Sequence, residues 1–348
     1  MEKVKTMEPI KVLMTLRFSE DLVDRVRAVS PRLVVVQKSV KENWDGMDTD
    51  EFFDGDEEIL YGFMPPRDLS IAPKLKWLQL HSAGINHLLK SQHPILQSEI
   101  KITTSSGIHA VPIGEFSIAL MIALARRVPR MVRMQDSGVW TTERWKTFLG
   151  TELHGKALGI IGYGSIGRHV ARIAKRGLGM FVMAMTRSGE RRDRGYCEPE
   201  VGDPDGALPD VWFTPKQLPD ILSQSDFVLV SAPLTDETQS MIDEKALRIM
   251  RPTAFIVNIA RGGLIDEAAL IHALKENWIA GAGLDVFEKE PLPAESELWK
   301  LENVIIAPHI SGATPHYDER ATDLFCENLR RYLNGEELLN QVNTEKGY

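Results

Sequence analysis

The chain is poor in cysteine. Cys197 and Cys326 are its only two, far apart and in no ligand spacing. That excludes a disulfide framework and a cysteine-based zinc site, and it fits a reducing, cytoplasmic setting. No other metal site is expected. Long apolar runs are missing too. MEKVKTMEPIK at the N-terminus has no apolar core, so no secretory leader is expected. The most apolar stretch, IGEFSIALMIALA at 113–125, is interrupted by Glu115 and followed by Arg126 and Arg127. It is too short to span a bilayer and reads as a buried helix, so no membrane partner is expected. Nor is there an excess of basic residues. Lys and Arg number 41 against 49 Asp and Glu, a net charge of −8. That argues against a nucleic-acid partner held by overall charge and leaves only a local basic patch for one. Repeats and low-complexity tracts are absent from the sequence.

What is present suits an ordinary globular enzyme: 43% hydrophobic and 26% charged residues in a chain of 348. That length suggests two domains at roughly 150 residues each. Short apolar runs alternate with amphipathic segments along the chain. KVLMT (11–15), LVVV (33–36), EILYGF (58–63), KWLQL (76–80) and KITTS (101–105) read as one series of strands. ALGIIG (157–162), MFVMAM (180–185), DFVLVS (226–231), AFIVNIA (254–260), AGAGLDV (280–286) and NVIIA (303–307) read as a second. Helical patterns cover 166–178, 216–224, 243–250 and 266–276. Strands without polar alternation are buried on both faces, the mark of parallel sheets in α/β proteins. A long helical segment, 112–136, separates the two series, and a last helix, 315–333, follows the final strand. EPEVGDPDGALPDVW (198–212), acidic and rich in Pro and Gly, reads as an exposed inserted loop.

GIIGYGSIGRHVARIAK places Gly162, Gly164 and Gly167 in G-x-G-x-x-G spacing between a strand and a helix. Gly162 permits a tight turn, Gly164 lets backbone approach a pyrophosphate, and Gly167 lets helix and strand pack closely. The N-terminus of that helix favours anions. Tyr163, Ser165 and Ile166 complete the loop. Beyond the second strand an NAD-binding chain carries an acid for the ribose hydroxyls. Here stand Thr186, Arg187 and Ser188, followed by Arg191, Arg192 and Arg194. A hydroxyl and a guanidinium in place of a carboxylate would bind a 2′-phosphate. NADP(H) is thus the expected cofactor, with NAD(H) as the alternative and a solvated charged loop as the bland reading.

Reduction of a carbonyl needs a cation to hold the substrate oxygens and an acid to protonate the nascent alkoxide. NIARGG (258–263), LDVFEKEP (284–291) and APHISGAT (307–314) offer Arg261, Glu290 and His309, each near the C-terminal end of a strand. Singly, each has an ordinary structural explanation. Together they form a cation, a carboxylate and an imidazole on loops of one domain face.

These stretches, with SAPLTDETQSMID (231–243), SAGINHLL (82–89) and GIHAVPIGEFSIALMIALARR (107–127), resemble the D-isomer-specific 2-hydroxyacid dehydrogenases. That family includes glyoxylate/hydroxypyruvate reductases and phosphoglycerate dehydrogenases. The resemblance covers about residues 10–340. It implies a Rossmann-type doubly wound parallel sheet at 113–312 and a split flavodoxin-like α/β substrate domain at 1–112 and 313–348. It also implies an active site between the domains and a homodimer. Arg261 is assigned to the carboxylate and carbonyl of a small 2-oxo or 2-hydroxy acid, and His309 to acid–base work with Glu290 behind it. Ser82, Ala83 and Gly84 resemble the carboxylate-binding loop, and Asp285 the acid that orients the nicotinamide amide. Ala232, Pro233, Thr238, Ile259, Ala260 and Gly312 match positions lining the cofactor. A regulatory extension like that of the long phosphoglycerate dehydrogenases is not expected. Two other functions remain open. One is an NAD-using D-2-hydroxyacid dehydrogenase for a bulkier 2-oxo acid, decided around Phe63, Met64 and the 80–86 loop. The other is a dinucleotide-sensing protein similar to the transcriptional co-repressors that share the fold.

Overall fold

Apolar runs uninterrupted by polar residues become parallel strands with both faces covered. The structure is a computed structural model that describes residues 8–38, 50–187, 189, 191–193 and 195–343. It divides into two units, Met1–Ile108 with Pro315–Tyr348, and His109–Thr314.

In the first unit, Ile10–Met14 (β1), Leu33–Gln37 (β2), Ile59–Gly62 (β3), Trp77–Leu80 (β4) and Lys101–Thr103 (β5) form a sheet of order β2-β1-β3-β4-β5. All its pairings are parallel, which makes it the flavodoxin-like doubly wound sheet. Leu13, Leu60, Leu78, Leu80 and Leu88 pack together in one core. The C-terminal helix Tyr317–Asn334 joins this unit through Phe325, whose ring lies 4.4 Å from Tyr61 and 5.4 Å from Trp77. Periodicity alone could not establish that return. Burying Leu324, Phe325 and Leu329 fully contributes about 1.5–3 kcal/mol per side chain.

The second unit holds Ala157–Ile161 (β6), Phe181–Met185 (β7), Val211–Phe213 (β8), Phe227–Val230 (β9), Phe255–Asn258 (β10), Gly281–Leu284 (β11) and Val304–Ile306 (β12). Their order is β12-β11-β10-β9-β6-β7-β8, again all parallel. The chain enters at β6, runs outward through β7 to β8, and returns to β9 on the other side of β6. The strand order therefore reverses between β6 and β9, where Ile161 pairs with Val230. Doubly wound sheets bind ligands at the carboxyl ends of strands beside such a reversal.

Two expectations need correction. The helical segment 112–136 is two helices, Ala110–Ala125 and Val128–Asp136. Arg127 takes a left-handed φ of 57° between them, and Pro129 in the next turn cannot donate a helical hydrogen bond. The 198–212 stretch is not simply an exposed loop. It runs into edge strand β8 and buries Asp203 to 6% exposure. A three-residue strand is too short for a periodic signal, and an acidic run looks solvated until its partners are known.

Candidate active site

The glycine turn follows β6 at the reversal point. Gly162 has a φ of +96°, and a Cβ there would lie 2.5 Å from the Ala232 nitrogen. A Cβ on Gly167 would lie 2.6 Å from the Gly162 carbonyl oxygen and 2.9 Å from Ile160. Around Gly164 a Cβ would meet nothing within 4 Å. Two glycines thus close the turn, and the third leaves an open cradle. The helix Ser165–Arg172 begins there without a side-chain cap, so the N–H groups of Ser165 and Ile166 lack intrahelical partners. An open cradle beneath unpaired N–H groups fits the pyrophosphate of a dinucleotide.

Tyr163 points the other way. Its hydroxyl donates to Asp203 at 2.8 Å, and its ring carries the guanidinium of Arg168 at 4.8 Å. Arg168 is buried and donates to the Asp203 carbonyl at 2.6 Å. Asp203 also accepts from the Ala207 and Leu208 N–H groups. Burial, then the bond to Asp203, pushes the Tyr163 phenol well above its usual range. The 198–212 stretch is therefore fastened to the back of the glycine turn. Sequence reading missed Asp203, because a buried acid inside an acidic run leaves no pattern.

At the end of β7, the Thr186 N–H donates to the Phe213 carbonyl, and its buried Oγ1 meets no partner among the described residues. A buried hydroxyl left unsatisfied is costly, and a ribose or phosphate oxygen would satisfy it. Arg187 lies 4.0 Å from Glu237, with both side chains more than half exposed. So open a pair is strongly screened. Ser188 and Arg194 lie outside the described residues. The arginines do not act as one cluster: Arg191 covers the Trp212 ring at 5.6 Å, and Arg192 faces Asp205 at 3.5 Å.

The other candidates converge beyond β10. Asn258 ends that strand, accepting from the Ala260 N–H at 3.1 Å and donating to the Arg261 carbonyl at 3.0 Å. This brace turns the chain so that Ile259 is buried and Arg261 is exposed. Gly262 then packs so tightly on Phe287 that no Cβ fits. The Phe287 N–H donates to Glu290 Oε1 at 3.0 Å, and Glu290 Oε2 lies 2.7 Å from His309 Nδ1. Partial burial would raise the Glu290 carboxyl. The His309 bond, the Phe287 N–H and the charges of His309 and Arg261 outweigh it and hold the group below its usual range. One carboxylate thus feels both the imidazole and the guanidinium, and the other ring nitrogen of His309 remains for a ligand.

His309 has a left-handed φ of 52°, uncommon for a non-glycine residue. The conformation is held by Asp285, which is fully buried after β11. The Asp285 carbonyl accepts from the His309 N–H at 2.9 Å. Its carboxylate accepts from the Ile310 N–H at 2.8 Å, the Ser311 N–H at 3.1 Å and the Ser311 hydroxyl. Charge-assisted bonds to a buried carboxylate are strong. Asp285 is here a brace for the His309 loop. Asn258 and Ser311, its counterparts, were not singled out from sequence; only their adjacency to Arg261 and His309 could have suggested them.

The remaining candidates make their own local bonds. Thr238 closes its own turn, its hydroxyl donating to the Pro233 carbonyl at 2.7 Å and accepting from the Thr235 N–H at 2.8 Å. Ala232 backs Gly162, and a Cβ on Gly312 would meet His109 at 3.2 Å. In the first unit the 82–84 turn follows β4. The Ser82 hydroxyl donates to the Gly84 carbonyl at 2.8 Å. Among the described residues, the exposed Ala83 and Gly84 N–H groups meet no acceptor.

Residues 118–311 match the family described as D-isomer specific 2-hydroxyacid dehydrogenase, NAD binding domain. The chain is 39% identical over 280 residues to a glyoxylate reductase of Thermococcus kodakarensis, covering 79% of this chain and 78% of that one. It is 40% identical over 276 residues to a glyoxylate reductase of Korarchaeum cryptofilum, covering 79% and 78%. A D-isomer specific 2-hydroxyacid dehydrogenase from Xanthobacter autotrophicus, solved with NADPH and MES, superimposes with a TM-score of 0.75 at 28% identity, covering 98% of this chain and all of that one. With a glycine turn at the strand-order reversal and this degree of likeness along most of its length, the chain belongs to the D-isomer-specific 2-hydroxyacid dehydrogenases and is an NAD(P)-dependent oxidoreductase.

Proposed function

We propose that the protein reduces a small 2-oxo acid of the glyoxylate or hydroxypyruvate type with NADPH, using Arg261, His309 and Glu290. The observation that carries this reading is the 2.7 Å contact between His309 Nδ1 and a Glu290 carboxylate that also feels Arg261. Arg261 holds the substrate's carboxylate and carbonyl oxygens in one pose, which converts orientation into rate. The bound nicotinamide supplies the hydride. His309, charged in the reductive direction, gives the proton on its far nitrogen to the carbonyl oxygen, and Glu290 stabilises the imidazolium until it does. Asp285 and Ser311 keep the ring in place. The Ala83 and Gly84 N–H groups are assigned to the substrate carboxylate. The substrate class draws support from the glyoxylate reductases it resembles.

NADP(H) over NAD(H) is supported by Thr186 and Arg187 standing where an acid would repel a 2′-phosphate. A second copy of the chain is the partner we propose. Val139, Trp140, Trp145 and Leu149, between 53% and 85% exposed, give the segment after Val128–Asp136 an apolar surface that water disfavours. Two free cysteines are consistent with a cytoplasmic setting, and no helix among the described residues is long and apolar enough to cross a membrane.

The test is direct: purified protein, NADPH or NADH, and a panel of 2-oxo acids, followed by nicotinamide absorbance. Turnover of glyoxylate or hydroxypyruvate with NADPH preferred is the expected result. Turnover only of bulkier acids with NADH would favour the alternative dehydrogenase. Tight dinucleotide binding with no turnover would favour a sensor.

A further inference from the structure

We propose that His81 is a positioning residue that sets the 82–84 turn, and through it the pose of the substrate carboxylate; this rests on reading that turn as the carboxylate site. His81 is the residue after β4 and the last before the turn. It is 3% exposed, and both ring nitrogens are engaged. Nδ1 meets the hydroxyl of fully buried Tyr61 at 3.0 Å, and Nε2 lies 3.2 Å from Asp318 on the C-terminal helix. Four aromatic rings surround the imidazole, with centroids at 5.6 Å for Phe18, 5.7 Å for Tyr61, 5.3 Å for Phe63 and 4.7 Å for Tyr317. Its main chain is fixed as well. The His81 N–H donates to the Gly62 carbonyl at 3.0 Å, and its carbonyl accepts from the Tyr317 hydroxyl at 2.7 Å.

Packing alone does not call for a histidine here. An apolar ring would fill an aromatic box without a polar atom to satisfy, whereas each buried nitrogen of His81 must find a partner. The arrangement is a rigid strut from the sheet, through Tyr61, to the C-terminal helix, through Asp318. Immediately beyond it the chain enters the turn, where Ser105 N–H meets the Ser82 carbonyl at 2.9 Å and the Ala83 and Gly84 N–H groups are open. N–H groups that bind a carboxylate act only if they are held within a fraction of an ångström of their working place, by neighbours that are themselves locked. His81 supplies that lock from one side of the turn.

The test compares His81→Phe, Asp318→Ala and Asp318→Asn in the full chain, reading KM for glyoxylate, kcat and the NADPH dissociation constant. Asp318 is half exposed, so its variants keep the question answerable if His81→Phe fails to fold. Loosening a turn that binds substrate and transition state alike raises KM with kcat nearly unchanged, by roughly fivefold to tenfold for one lost hydrogen bond. We expect that split in His81→Phe and Asp318→Ala, with NADPH affinity retained, and recovery in Asp318→Asn, which keeps an acceptor. An unchanged KM in Asp318→Ala, or a fall in kcat and NADPH affinity alongside it, overturns the proposal. Gly84→Pro removes one N–H of the turn itself. If it raises KM while the strut variants do not, the turn reading stands and His81 loses its role. If it leaves KM unaltered, the turn reading falls, and the strut with it.

Discussion

Two glycines of one turn should respond to the same substitution in opposite ways. In Gly167→Ala the new methyl would sit 2.6 Å from the Gly162 carbonyl oxygen and 2.9 Å from Ile160. A backbone carbonyl cannot swing aside, so the helix Ser165–Arg172 must move off β6. Overpacking of this kind costs about 1–3 kcal/mol. For a unit the size of His109–Thr314 each kcal/mol lowers Tm by about 2–4 °C, so the melt should fall by roughly 2–12 °C. In Gly164→Ala the methyl meets nothing within 4 Å. Stability should therefore stay within about 0.5 kcal/mol of wild type. The same methyl occupies the place where a pyrophosphate approaches the backbone, and NADPH affinity should drop at least about tenfold, or 1.4 kcal/mol. The assay is a thermal melt without nucleotide and a fluorescence titration with NADPH, run on both variants. Gly164→Ala that melts early yet binds NADPH normally would refute the reasoning. So would Gly167→Ala that melts like wild type.

His309→Asn should lower kcat for reduction by roughly 10²–10⁴ while NADPH still binds. Near-normal turnover in that variant would remove His309 from the mechanism. Arg187→Asp should shift the kcat/KM ratio from NADPH toward NADH, and an unchanged ratio would count against the 2′-phosphate placement. Glu290 has a depressed folded pKa, so its contribution is present above the unfolded value near 4.5 and lost as pH falls through the folded one. Denaturant melts of wild type and Glu290→Gln should accordingly differ by up to about 1 kcal/mol at neutral pH and converge below about pH 4.5. A gap that widens in acid would reverse that assignment.

Much of this is legible in the sequence. The double-sided strands announced themselves as apolar runs, and Gly162, Gly164 and Gly167 carried their context with them. Arg261, Glu290 and His309 could be picked out because chemistry demands those side chains at strand ends. What stayed hidden depends on neighbours distant in sequence. Strand β8 exists because Met183, Ala184 and Met185 offer it a partner, not because VWF looks like a strand. Arg127 breaks a helix within a run that continues to look helical. Asp203, Asn258 and Ser311 are polar residues whose roles appear only when their buried partners do. His81 carried no motif, since its meaning lies in the rings around it.

The fastening of Tyr163 and Arg168 by Asp203 limits how this enzyme can be rebuilt. A chimera that exchanges the 198–212 segment for a shorter one from a related chain would bury the Tyr163 phenol without its acceptor and cut the Arg168 bond to the Asp203 carbonyl, leaving that guanidinium its contact with Asp193 at 3.3 Å. Any graft at this position must therefore travel with matching replacements at 163 and 168, or bring its own acid.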